Sequence, residues 1–140
     1  METGTKPEPT PDDRTLAMLA QILQAVSGFW GPLVIYIVKR DNRFVAFHAV
    51  QALIWQIGYM VVAFGSMIVF FTGIAFHMPA ANSAPPPKAI FIAMPLIWLF
   101  FMGGWAVSIT LAIIYGIKAN RGEWAAYPVI GRWARRIVGA

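Results

Sequence analysis

Long apolar stretches alternate with short charged ones along this chain. No Asp, Glu, Lys or Arg occurs from Thr15 to Val38, from Phe44 to Pro87, or from Ala89 to Ile117. A helix crossing the roughly 30 Å hydrocarbon core of a bilayer needs about 20 predominantly apolar residues. The first and third stretches hold one span each. The second holds one long span and a loop, because Pro79 and the run Pro85 to Pro87 close its helical part near His77. The expected spans are 15–38, 44–76 and 89–117, within a transmembrane helical domain at 14–123. Span 1 carries Pro32 four residues after Gly28, which predicts one kinked helix. The alternative is a short helix, a re-entrant turn at Gly28–Pro32 and a second half-helix.

The flanking segments have their own patterns. Residues 1–13 are acidic and proline-rich and read as a flexible tail, ending in a helix start at Thr10, Pro11, Asp12 and Asp13. Residues 124–140 form an amphipathic segment. At about 100° per residue, Ile130, Trp133, Ala134 and Ile137 share one face, and Arg132, Arg135 and Arg136 the other. That pattern predicts a helix lying in the membrane surface with its arginines at the lipid headgroups, or one docked on the spans. The fold class expected is all-α: an integral membrane bundle of about three transmembrane helices plus a short C-terminal amphipathic surface helix.

Composition supports lipid as the solvent. Apolar residues make up 59% and charged residues 12%, against about 25% charged in soluble domains. The net charge of +5 lies beside the apolar spans and no recognition motif accompanies it, which argues against nucleic acid. With three spans, the loop at 39–43 and the C-terminus hold most of the basic residues. The positive-inside rule then places both in the cytoplasm and the N-terminal tail outside. A re-entrant first segment would put the tail in the cytoplasm instead. The chain has no cysteine, which removes disulfides, thiolate metal sites and cysteine nucleophiles.

Little in the sequence points to catalysis. The acids outside the tail are Asp41 and Glu123, no G-x-S-x-G occurs, and the spans contain no carboxylate. His48 and His77 would lie about 43 Å apart on one helix, too far to share an ion. His48, Gln51 and Gln56 form a polar strip, read foremost as interhelical hydrogen bonding. His48 alone is a candidate ligand for a cofactor shared across a dimer; no catalytic residue, metal or resident cofactor is expected. Gly104, Ser108, Ala112 and Gly116 recur every four residues, a small-residue groove suited to packing within the chain or against a partner. Trp55, Tyr59, Trp98, Trp105 and Tyr115 read as interfacial aromatics rather than a cofactor box.

Four strings occur together: Thr15-Leu-Ala-Met-Leu-Ala20, Gly31-Pro-Leu-Val-Ile-Tyr-Ile-Val-Lys-Arg-Asp41, Phe44-Val-Ala-Phe-His-Ala-Val-Gln-Ala-Leu53, and Ile113-Ile-Tyr-Gly-Ile-Lys-Ala-Asn-Arg-Gly-Glu-Trp-Ala-Ala-Tyr-Pro128. Over residues 15–131 the chain resembles small bacterial membrane proteins similar to the twenty-kilodalton subunit of the chloroplast inner-envelope import translocon, a Tic-twenty-like family. The resemblance implies a place in the bacterial inner membrane and a role in assembly or passage of polypeptides. It singles out His48, Gln51, Lys118, Asn120, Gly122 and Pro128. The function expected is a non-enzymatic accessory, scaffold or assembly subunit of a membrane complex, with lipid and other membrane subunits or itself as partners. The alternatives are an oligomeric channel or translocon-like component, and a cofactor-binding subunit.

Overall fold

A computed structural model describes residues 8–77 and 88–139. Among these residues the chain is all helix, without strands: α1 (Pro11–Ser27), α2 (Trp30–Lys39), α3 (Arg43–His77), α4 (Lys88–Asn120) and α5 (Ile130–Val138). Most of the expected tail, residues 1–7, and most of the second loop, residues 78–87, lie outside the described residues.

α1 starts where its sequence carries a start signal. Thr10 accepts from the Asp13 backbone N–H at 3.2 Å, and the Asp13 carboxylate accepts from the Thr10 N–H at 3.1 Å. This reciprocal box satisfies two backbone donors that the first helical turn leaves free.

The single kinked span expected over 15–38 is replaced by two helices. α1 stops at Gly28, whose φ of 62° and ψ of −135° lie in a region essentially reserved for glycine. Pro32 is the third residue of α2, where a missing N–H costs no helical hydrogen bond. The proline therefore tolerates a new helix start better than a position inside one helix. The Ser27 hydroxyl accepts from the Gly31 N–H at 3.0 Å, closing the break.

The two helices fold back on each other. A Cβ on Gly31 would stand 2.5 Å from the Leu23 Cβ; eight residues along one straight helix separate Cα atoms by about 12 Å. At the opposite end, Asn42 and Lys39 lie close enough to Asp13 to lower its carboxyl below the usual aspartate value. α1 and α2 are thus an antiparallel hairpin, with 17 and 10 residues.

Among the described residues, two helices are long and apolar enough to cross a membrane, over Arg43–Phe76 and Ile90–Asn120. Helices of this composition inside a soluble domain would be covered by protein. Here the most apolar windows are 6% and 0% buried, so their surface needs an apolar surrounding.

The chain divides into two compact units, Met1–Ile57 with Ser108–Ala140, and Gly58–Val107. In the second unit, Tyr59 on α3 donates its hydroxyl to the Phe101 carbonyl on α4 at 2.9 Å, and its ring lies over Gly104. Its outward residues, including Val61, Ile68, Val69, Phe91, Leu96 and Leu99, are exposed.

The first unit has an aromatic core. Trp124 packs edge-on to Phe44 with ring centroids 5.3 Å apart, and against Phe47 at 5.4 Å. Ala17 and Ala119 bring α1 and α4 onto Phe44, and Ala134 of α5 seats on Phe47 and Val50.

Candidate functional site

The first unit also buries a polar cluster: Gln21 and Gln24 from α1, His48 and Gln51 from α3, and Tyr127 from the segment after α4, all 2% exposed or less. Gln21 uses its whole amide. Its Nε2 donates to the His48 carbonyl at 3.2 Å and faces His48 Nδ1 at 3.4 Å. Its Oε1 accepts the Tyr127 hydroxyl at 2.5 Å and Gln24 Nε2 at 3.4 Å. Gln24 Nε2 also donates to the Tyr127 oxygen at 2.9 Å.

His48 is held from both sides. Its Nε2 lies 3.1 Å from the Glu123 carbonyl, which can only accept. The partners therefore assign the proton to Nε2 and leave Nδ1 to accept from Gln21.

The reason for this cluster lies in the backbone at 121–127. α4 ends in a Schellman motif: the Gly122 N–H donates to the Ala119 carbonyl at 2.9 Å and the Glu123 N–H to the Lys118 carbonyl at 3.0 Å. Gly122 takes φ of 79°, which glycine adopts without a Cβ penalty. The chain then runs on without helix or strand partners. His48 binds the Glu123 carbonyl, Gln51 Nε2 donates to the Ala125 carbonyl at 3.1 Å, and Gln51 Oε1 accepts the Tyr127 N–H at 2.6 Å. Residues 123, 125 and 127 alternate as along a strand, and two side chains of α3 take the place of the neighbouring strand. Burial pushes the Tyr127 hydroxyl above the usual tyrosine range, opposed by its bond from Gln24.

A tight turn follows. The Ile130 N–H donates to the Pro128 carbonyl at 2.8 Å across Val129, whose φ of 68° and ψ of −54° make a γ-turn of the rare, strained hand. The turn aims α5 back onto α3. Gly131 then rests against Ala126 so closely that no Cβ would fit.

Chemically, the cluster joins three elements. The hydrogen bonds of its polar side chains run to one another and to backbone, apart from Gln24 Oε1, which has no partner among the described residues. No group of three His, Cys, Asp or Glu among those residues could hold a metal ion.

The family model for magnetosome magnetite crystal formation proteins, MamF/MmsF, matches residues 12–134. The chain belongs to that family. A search of curated proteins and a search of solved structures each return no match. The match replaces the Tic-twenty-like resemblance. The four strings that carried it fall within the MamF/MmsF match, and they consist mainly of apolar residues and helix ends that bilayer-spanning helices require whatever their family.

In this MamF/MmsF protein the residues singled out by sequence have definite places. His48 and Gln51 belong to the cluster, Lys118 and Asn120 to the last turn of α4, Gly122 to its cap and Pro128 to the turn before α5. The small-residue groove is covered from within the chain. Tyr59 covers Gly104 in the second unit. In the first, Ser108 accepts from Trp55 Nε1 at 2.9 Å, Ala112 is buried, and Gly116 packs on Met18, Gln21 and Ile22 of α1.

The arginines of α5 separate. All three are exposed, but the Arg135 guanidinium lies over the Phe47 ring at 5.8 Å. The expected shared apolar face also divides: Ala134 is buried, but Trp133 and Ile137 are 56% and 58% exposed.

Gln21, Gln24 and Tyr127 were not among the residues singled out as a site. The signal that could have found the glutamines is two amides three residues apart in an uncharged helix, on the face that carries Ala17 and Ala20.

Proposed function

We propose that this chain acts in magnetite crystal formation as a non-enzymatic scaffold or accessory protein of the magnetosome membrane. The family match over residues 12–134 carries this reading. The polar cluster supports the non-enzymatic part, because its side chains serve to hold backbone and one another. His48 has both ring nitrogens engaged, which leaves the cofactor reading without its ligand.

The membrane arrangement we infer is two spanning helices, α3 and α4, with α1–α2 as a re-entrant hairpin. Asp13 approaches Lys39 and Asn42, and Gly122 approaches Arg14, so the hairpin's open end and the end of α4 meet within the first unit. Every Lys and Arg except Lys88 then falls on one side in sequence order, which the positive-inside rule makes cytoplasmic. The N-terminal tail lies on that side too, in place of the outside location that three spans imply.

Deleting the gene in a magnetite-forming host and measuring crystal number and size by electron microscopy tests the role. Altered crystals, restored by the intact chain, are expected; unchanged crystals reject it.

A further inference from the structure

α5 presents two different surfaces. Gly131, Ala134 and Val138 face the protein, where Ala134 seats on Phe47 and Val50. On the remaining arc, at about 100° per residue, lie Ile137, Trp133, Arg136 and Arg132 in that order. This arc runs from apolar to cationic within one helix. The helix contains no acid, and neither Arg132 nor Arg136 has an ion pair among the described residues. Arg135, also exposed, differs in that its guanidinium lies over the Phe47 ring at 5.8 Å. A stripe of exposed aromatic and aliphatic side chains beside exposed guanidiniums fits neither water alone nor an apolar protein surface. It fits the boundary where acyl chains meet phosphate groups.

We propose that the outer arc of α5 binds anionic phospholipid, with Arg132 and Arg136 on the headgroup phosphate and Trp133 and Ile137 against the upper acyl chains. The proposal rests on the membrane reading above. Charge complementarity selects the lipid: two unpaired arginines favour a headgroup with net negative charge over a zwitterionic one. Because Ala134, Gly131 and Val138 already anchor the helix, the arc is held in place before lipid arrives. Arg135 contributes to docking and not to the lipid.

The full-length protein is reconstituted in phosphatidylcholine vesicles containing spin-labelled phosphatidylglycerol or spin-labelled phosphatidylcholine. Electron paramagnetic resonance reads the fraction of each lipid immobilised by the protein. The expected preference for phosphatidylglycerol is about fivefold or more, the scale of one arginine at an anionic surface. It falls in 0.5 M salt and approaches unity in the R132Q/R136Q double variant, while R135Q keeps most of it. A fluorophore on Ile137→Cys, the sole thiol in the chain, is expected to report an apolar environment. Equal immobilisation of both lipids by the wild type overturns the proposal, as does a preference that survives in the double variant or a water-like signal at position 137. Vesicle flotation separates the two readings. Protein that floats without lipid preference removes only the α5 proposal, whereas protein that does not float removes the membrane reading with it.

Discussion

Tyr127 gives its hydroxyl hydrogen to the buried amide oxygen of Gln21 at 2.5 Å, joining α1 to the segment that follows α4. The same hydroxyl accepts from Gln24. Tyr127→Phe keeps the ring contacts with Tyr115 and Trp55 but withdraws a donor from one glutamine and an acceptor from the other. The expected loss is about 1–3 kcal/mol, read as a lower unfolding midpoint in mild detergent. Gln21→Leu is expected to cost more than Gln24→Leu. Gln21 holds His48 and Tyr127 together, whereas Gln24 already has one oxygen without a partner.

The raised Tyr127 hydroxyl gives an optical test. Tyr127 is expected to stay protonated in the folded protein while accessible tyrosines ionise near pH 10. Its neutral form is favoured by folding, so this contribution to stability is present below the unfolded value and lost as pH rises through the folded one. Phenolate absorbance through the ordinary tyrosine range should therefore be the same in wild type and Tyr127→Phe. A smaller amplitude in the variant would show that Tyr127 titrates normally.

Gly122 and Val129 make opposite predictions with the same backbone sign. Gly122→Ala places a Cβ on a residue with positive φ and 3.1 Å from the Arg14 Nε, so a loss of about 1–2 kcal/mol is expected. Val129 already bears that strain and is 64% exposed. Val129→Gly is expected to leave stability unchanged or raise it by about 1 kcal/mol. Thermal or denaturant midpoints of the two variants check the contrast.

Asp13 supplies an acid-side test. Its bond to the Thr10 hydroxyl group leads the influences that lower its carboxyl below the usual aspartate value, with Asn42 and Lys39 adding to it against the opposing effect of burial. A carboxyl depressed by folding adds stability above its unfolded value near 3.8, and that contribution disappears as pH falls through the folded one. The unfolding midpoint of the wild type should therefore drop on acidification below about pH 4, and that of Asp13→Asn should drop less. Equal slopes would count against the box as an ionic cap.

The two long helices were legible as uncharged stretches: the spans expected at 44–76 and 89–117 fall within α3 and α4, the first of them ended in the sequence by prolines and not by charge. The first stretch misled because Gly28 and Pro32 fit a kink and a break equally well. What decides between them is the contact of Gly31 with Leu23, a tertiary fact with no local signature. His48 and Gln51 stood out as polar side chains in an apolar helix. Their partners did not, since the Glu123 and Ala125 carbonyls and the Tyr127 N–H are backbone atoms that every sequence possesses. The division of α5 was likewise hidden. Periodicity grouped Trp133 with Ala134, but only the position of Phe47 determines which of them is covered.

The stand-in strand formed by His48 and Gln51 has a consequence for how the protein matures. Residues 123–127 leave the ribosome after the helices whose polar side chains they complete, so those groups gain their partners only once this segment has been made. A chain cut after α4 would leave the side chains of Gln21, His48 and Gln51 without these partners. Residues 123–127 thus act as a latch across α1 and α3.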